Sequence, residues 1–349
     1  MSAFVKTQLV VRPLQALSYL TLASGICGMA TSYLYLASNH YFDLVAGAAG
    51  FVSGSIFVSG GLIALVLLRQ APEGADNAQE TRAAPTTTPL VNIHKWLAHF
   101  TRNQERRPEP AWNAPIVLAA DVVQPLVRSL EQFQLGDGGG PAYLIAWDQE
   151  RFLSSSEGVR ELVDLWFKEE REHSRLLSEA VARFGGRCIQ GHWSFSVFCW
   201  TRRYFGVRFE LTVLLLTEIV STVYYRLIRQ HANDPALRSM CRLIIRDENG
   251  HVAFHRDRLA SAARCGQARY GNLWERWFVA LGLAAATMLW VNHASGLCAL
   301  GASTREFYRE VWRELARFVR RLRLESLTEP ASHRESALVE DNTPPPSKA

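Results

Sequence analysis

Residues 166–177 read WFKEEREHSRLL, and they place Glu169, Glu170, Glu172 and His173 inside an otherwise apolar helical pattern. Glu170 and His173 are three apart, so on a helix they share one face, a turn above each other. Leu162, Trp166, Leu176 and Leu177 mark the side that turns inward. A solvated helix face is one explanation of such polar residues, and a metal site is the other. A carboxylate taken out of water costs several kcal/mol unless a charge or a metal compensates it.

The rest of the chain weighs on that choice. A second pair of the same spacing, Glu248 and His251, lies in IIRDENGHVAFHRD (244–257), flanked by Leu243, Ile244 and Phe254. Both pairs carry an extra acid directly before the glutamate, Glu169 and Asp247. A metal-bound imidazole usually gives its other N–H to a carboxylate, so each acid could serve the histidine of the opposing helix. A lone acid, Glu218, sits in LTVLLLTEIVSTVYY (211–225) with no basic residue within a turn. Upstream, SLEQFQLGD (129–137) offers Glu131, or Asp137 in its place if the helix continues through Gly136. Four-helix bundles that hold two iron or manganese ions take one Glu from each of two helices and Glu-x-x-His from each of the other two. Carboxylates with imidazole suit those ions, whereas thiolates would suit zinc or iron–sulfur.

With these motifs in view, EEREH, LTEIVST and DENGH with SLEQFQLGD upstream, residues 115–325 resemble the ferritin-like di-iron carboxylate proteins, and broadly the acyl-carrier-protein desaturases. WFVALGLAAATMLWVNHASGLCALG (277–301) looks like a later helix of bacterial members. The resemblance implies an all-α fold, a ferritin-like four-helix bundle with additional C-terminal helices. It implies Glu131 (or Asp137), Glu170, His173, Glu218, Glu248 and His251 as metal ligands, with Glu169 and Asp247 behind the histidines. All but the first-helix acid are expected to be catalytic. The implied cofactor is two iron ions, with manganese as the substitute, and the implied activity is O2-dependent desaturation or hydroxylation. The substrate would be a hydrophobic lipid, quinone or carrier-bound acyl group. Electrons would come from an external donor, a ferredoxin or a reductase, because no flavin or iron–sulfur motif is present. Other readings are a ferritin- or rubrerythrin-like iron-oxidising or peroxide-reducing protein, a quinol oxidase like the alternative oxidases, and a scaffold whose acids are structural. Gly250 departs from the usual helix former in the second motif.

The 349 residues carry a net charge of +5, mild and concentrated in arginines near the C-terminus, which suits acidic surfaces such as lipid headgroups. No nucleic-acid module is visible. Leu14–Ala37 and Leu44–Leu68 hold no charged residue, and each has the roughly 20 residues that cross a bilayer. Lys6 and Arg12 precede the first run and Arg69 follows the second. By the positive-inside rule residues 1–69 form a two-span anchor in the cytoplasmic membrane, with both ends and the catalytic domain in the cytoplasm. Gly50 and Gly54, with Ser24 and Gly28 at the same spacing, would let the two spans approach closely. Residues 70–112 read as a linker with a short amphipathic stretch (Leu90, Ile93, Leu97, Phe100) that could lie on the membrane or dock on the domain. The di-iron domain covers 113–324, and 325–349 has the composition of a disordered tail. The bilayer, the electron donor and the substrate are the expected partners, and a homodimer is compatible with the reading.

Helices are expected near 115–135, 157–184, 205–232, 236–263, 272–294 and 303–323, with a break at GDGGGP. The apolar run 277–291 is short for a span and suits a buried helix. The last helix carries Phe307, Val311, Leu315, Val319 and Leu322 on one face and an arginine stripe interleaved with Glu306, Glu310 and Glu314 on another. That pattern fits a salt-bridged surface or headgroup contact. The six scattered cysteines read as reduced, buried thiols. His255 is expected at the surface or behind the ligands, His192 in packing, and Tyr224 and Tyr225 in the core or near an oxidant.

Overall fold

The computed structural model describes residues 16, 18–32, 50, 53, 54, 61, 91–105, 107–139 and 143–327. Among them every regular element is helical and no strand occurs. From residue 91 onward the elements are α1 (Ile93–Glu105), α2 (Ala120–Gln134) running into a π-helical turn (Leu135–Gly139), α3 (Gln149–Leu153) and α4 (Val159–Arg183). They continue as α5 (Trp193–Tyr204), α6 (Val207–His231), α7 (Pro235–Arg264), α8 (Asn272–Ala299) and α9 (Thr304–Leu327).

Local chemistry sets the ends of the central helices. α7 starts where the Asp234 carboxylate accepts the Leu237 amide at 3.0 Å, with Pro235 in the first turn. The same carboxylate pairs with Arg183 at the end of α4, 2.8 Å away and shut from solvent. α6 follows Gly206, whose φ of +80° favours glycine, and its Val207 amide donates to Asp148 at 2.7 Å. Glu210, fully buried, accepts the Ile145 and Ala146 amides at 2.8 and 3.0 Å and pairs with Arg202 of α5 at 3.0 Å.

Helix directions follow from which residues meet. Val127 and Glu131 of α2 lie against Gly186, just past α4, while Gln134 reaches back to Ser174 at 3.0 Å, so α2 and α4 are antiparallel. Val163, Leu211 and Arg258 line one cavity, while Glu170, Glu218 and His251, each seven residues away on the same helices, come together elsewhere. Hence α4 and α6 run in the same sense and α7 runs opposite. The connection between the two parallel helices has to travel the length of the bundle, and α5 lies within it.

α1 docks on this core, one of the two fates expected for the amphipathic stretch. Ile93, Trp96 and Phe100 are buried in one apolar cluster with Trp166 and Phe254. A Cβ on Gly250 would stand 2.5 Å from His99 Nε2, so α7 carries a glycine where α1 crosses it. On α9 the buried face is Phe307, Val311, Leu315, Phe318 and Leu322, with Phe318 taking the place expected of Val319. Glu310 and Glu314 bind Arg313 and Arg317 at 2.6 and 2.5 Å, and Glu314 also holds Arg226 of α6 at 2.7 Å. The arginine stripe is therefore salt-bridged. α9 runs to Leu327, three residues into the expected tail, and the remainder lies outside the described residues.

Two expectations are corrected. The run 277–291 is part of a 28-residue helix, and only 22% of its most apolar window is buried. α8 is thus not the short buried helix that its apolar run suggested. By length and composition α8 could cross a bilayer, as could α6, but 78% of the α6 window is buried, as a bundle core requires. The six cysteines are free, yet Cys241 alone is buried, while Cys27, Cys188, Cys265 and Cys298 are exposed.

The chain divides into two compact units, residues 87–276 with 296–349, and residues 1–86 with 277–295. Most of the expected spans Leu14–Ala37 and Leu44–Leu68 lies outside the described residues, as does most of the linker before residue 91. Within the first span, residues 18–32 are helical. A Cβ on Gly54 would stand 2.7 Å from the Gly25 carbonyl, and one on Gly61 2.9 Å from the Ser18 carbonyl.

Candidate metal centre

α4, α6, α7 and the π-turn converge on six acids and imidazoles. Asp137, His173 and Glu248 form one group, and Glu170, Glu218 and His251 the other, with the ligand atoms of each within 4.8 Å of one another. The groups interlock. His173 Nδ1 is 3.6 Å from Glu170 and 3.8 Å from Glu248. His251 Nδ1 is 3.1 Å from Glu170, 3.5 Å from Glu248 and 3.8 Å from Glu218. Glu170 and Glu248 therefore each stand between both imidazoles, while Asp137 and Glu218 lie at opposite ends. Glu218, Glu248 and both histidines are buried, and Glu170 is mostly so.

Glu131, the first choice for the upstream carboxylate, is not in this cluster. Its carboxylate accepts the Arg187 amide at 3.0 Å beside Gly186. Asp137 takes the place because the helix does not break at Gly136. It continues as a π-turn through Gly139, and the extra residue per turn rotates Asp137 inward. The two glycines around Asp137 look like a loop in sequence, and that is why the break was expected there.

Behind each imidazole stands an acid from the opposite helix, as the paired motifs suggested. His173 Nε2 lies 3.2 Å from Asp247, and His251 Nε2 lies 2.9 Å from Glu169. Asp247 is itself held by Arg107 at 2.6 Å and Arg246 at 2.9 Å. Arg107 follows α1 in an irregular arginine-rich stretch, and no periodic signal in the sequence points to it. Trp166 Nε1 donates to Glu170 at 3.2 Å, and the Tyr225 hydroxyl donates to Asp137 at 2.6 Å. Tyr224 instead stacks on Phe133 with ring centroids 3.9 Å apart, a packing role. His192 bonds Ser194 at the start of α5 and stays out of the cluster. His255 is fully buried, with Nε2 3.5 Å from Glu218. A place behind the ligands holds for it, and a surface place does not.

The electrostatics describe acids crowded together without enough positive charge. Burial, then the charges of Glu170 and Glu248, push the Asp137 carboxyl up to about 7. Burial likewise raises Glu218 and Glu248. Burial acts to raise Glu170 too, but contacts with His173 and His251 hold it below its ordinary value. Burial works to lower both histidines, and their carboxylate partners outweigh it and raise them well above the usual range. Even so, His173 Nδ1, His251 Nδ1, both Glu218 oxygens and Glu248 Oε2 are buried without a hydrogen-bond partner. Native interiors rarely leave such atoms orphaned. The donor set faces inward, is hard in character and has backing carboxylates that fix its imidazoles, so it fits a metal ion in each group.

Comparisons of the chain with protein-family models, curated proteins and solved structures found no match. What fold and site define by themselves is an all-helical protein whose buried glutamate–histidine clusters could hold a metal.

Proposed function

We propose that this chain is a membrane-anchored, ferritin-like di-iron oxidase or oxygenase that desaturates or hydroxylates a hydrophobic substrate. The observation that carries the reading is the pair of interlocked Glu/His groups with inward-facing, unpartnered ligand atoms. Antiparallel α2 and α4, parallel α4 and α6 across one long connection, and antiparallel α6 and α7 agree with a ferritin-like bundle, which has a single crossover. Asp137 and His173 would hold one ion and Glu218 and His251 the other, with Glu170 and Glu248 between them. Iron, when bound, supplies the redox chemistry that activates dioxygen, with electrons from an external ferredoxin or reductase; manganese suits the same donors.

The chain's own residues have definable work. Asp247 and Glu169 would accept the Nε2–H of the histidines, which would leave each Nδ1 free to hold a metal. Arg107 and Arg246 keep Asp247 ionised, since its carboxyl stays low against the pull of burial through His173 and these two arginines. Trp166 and Phe100 pack against His251, with Phe254 behind them, and keep water away from that side. Tyr225 holds Asp137 through its hydroxyl. The close approach of Gly54 and Gly61 to residues 18–29 supports a helical hairpin as the membrane anchor.

The test is metal analysis of the purified full chain, followed by oxygen uptake and product analysis for wild type and Glu218→Ala. About two ions per chain, with uptake and organic product abolished in the variant, is the expected result. Full activity in Glu218→Ala, or protein devoid of iron and manganese, overturns the reading. Iron turnover without organic product favours a ferritin-like iron-oxidising role.

A further inference from the structure

Two helical turns from the cluster lies a cavity of about 750 Å³, a size that encloses small-molecule ligands. We propose that this cavity binds an amphiphile with a small anionic head, a carboxylate or a phosphate, held by Arg258 with its hydrocarbon chain on the apolar wall. The proposal names the substrate class of the metal centre and so rests on the function proposed above.

Arg258 lines the cavity, and its Nε and Nη2 are shut from solvent with no hydrogen-bond partner among the described residues. These two nitrogens lack both water and a counter-ion, and an oxyanion is what the planar guanidinium fork binds best. Burial draws its ionisation down to about 10, which leaves it charged at neutral pH. Tyr270, which also lines the cavity, and then Glu218 act in the opposite direction, and Glu218 belongs to the metal cluster. The cavity as a whole has a cationic surplus. Arg151 and Arg208 line it as well, against one carboxylate, Asp148, which is already committed to the Val207 amide.

Val163 and Leu211 supply an apolar wall level with Arg258, and Phe254, one turn earlier on α7, stands nearer the ligands. Seven residues separate Val163 from Glu170, Leu211 from Glu218 and His251 from Arg258, about 10 Å of helix rise. His255 bridges that interval, three residues before Arg258 on α7 and 3.5 Å from Glu218. An anionic head fixed on Arg258 therefore stands about two helical turns from the metal centre, so the head itself does not reach the ligands.

Titration calorimetry of the full chain in neutral detergent decides the matter, with decanoate, decyl phosphate, decanol, acetate and inorganic phosphate as probes. Decanoate or decyl phosphate is expected to bind, and to lose roughly tenfold or more in affinity in Arg258→Met, the loss of a charged hydrogen-bond partner. Arg258→Lys should retain most of the affinity, and Leu211→Trp, which fills the cavity, should abolish it. The tighter of the two anions identifies the head. Equal binding by wild type and Arg258→Met, decanol binding as tightly as the anions, acetate or phosphate matching them, or no binding at all each overturns the proposal. Metal content measured on the same samples separates the two readings. Two ions bound without amphiphile binding sinks this proposal alone, whereas amphiphile binding by wild type that never takes up metal sinks the metal-centre reading.

Discussion

At the scale of single residues, the cluster is built so that neighbouring acids have unlike tasks. Asp137→Ala removes one end of the cluster, and under the proposed function metal content by mass spectrometry should fall from about two ions toward one. Glu131→Gln should leave it unchanged, because that carboxylate lies outside the cluster and accepts the Arg187 amide. Asp247→Ala frees His173 Nε2 and should weaken metal binding by about 10–100-fold, as loss of a backing carboxylate does; competition with a chelator measures this. The two Glu-x-x-His pairs, their preceding acids and Glu218 were legible in sequence because helical spacing and apolar flanks pointed them inward and the resemblance implied that they meet. Asp137 against Glu131 was not, since the choice turns on one extra residue in a π-turn that glycines disguise. Arg107 was not either. It reaches Asp247 across 140 positions from an irregular segment.

At the scale of elements, the long helices fell within a few residues of the expectation, because each is amphipathic or flanked by Gly, Pro or Asp signals. The short crossover helix α5 was missed. WSFSVFCWTRRY is aromatic on all sides and stands mostly half-exposed, so it offers no inward stripe to recognise. Whether α1 would dock or lie on a membrane could not be read from its own pattern, since both fates need the same apolar stripe. Its partner supplied the answer. Phe100 is fully buried and packs beside His251 and Phe254. Phe100→Ala should cost about 3–5 kcal/mol in a denaturant melt, as large aromatic truncations in cores do.

At the scale of the whole molecule, pH and metal occupancy should act together on stability. Asp137, at about 7 against an ordinary 3.8, stabilises the metal-free fold most below about pH 4 and loses that contribution as pH climbs through about 7. His173 and His251, raised well above 6.5, act in the same direction. Glu170 and Asp247, held low, act oppositely and fail only in acid. Chelator-treated protein should thus melt higher at about pH 6 than at about pH 8.5, and metal should narrow or reverse that gap by replacing the missing protons. Thermal melts with and without metal check it. Membrane attachment has its own check: the full chain should stay with membranes through an alkaline carbonate wash. The order Glu169, Glu170, His173 repeats as Asp247, Glu248, His251, each motif clasping the other's imidazole. This near-twofold swap means that sliding either helix by a single position would unseat both rings together, so the two motifs can be altered only in concert. The swap is imperfect at its poles, a phenol on Asp137 and a third imidazole beside Glu218. Two bound ions would consequently be siblings and not twins, distinguishable by the spectroscopic signature of each.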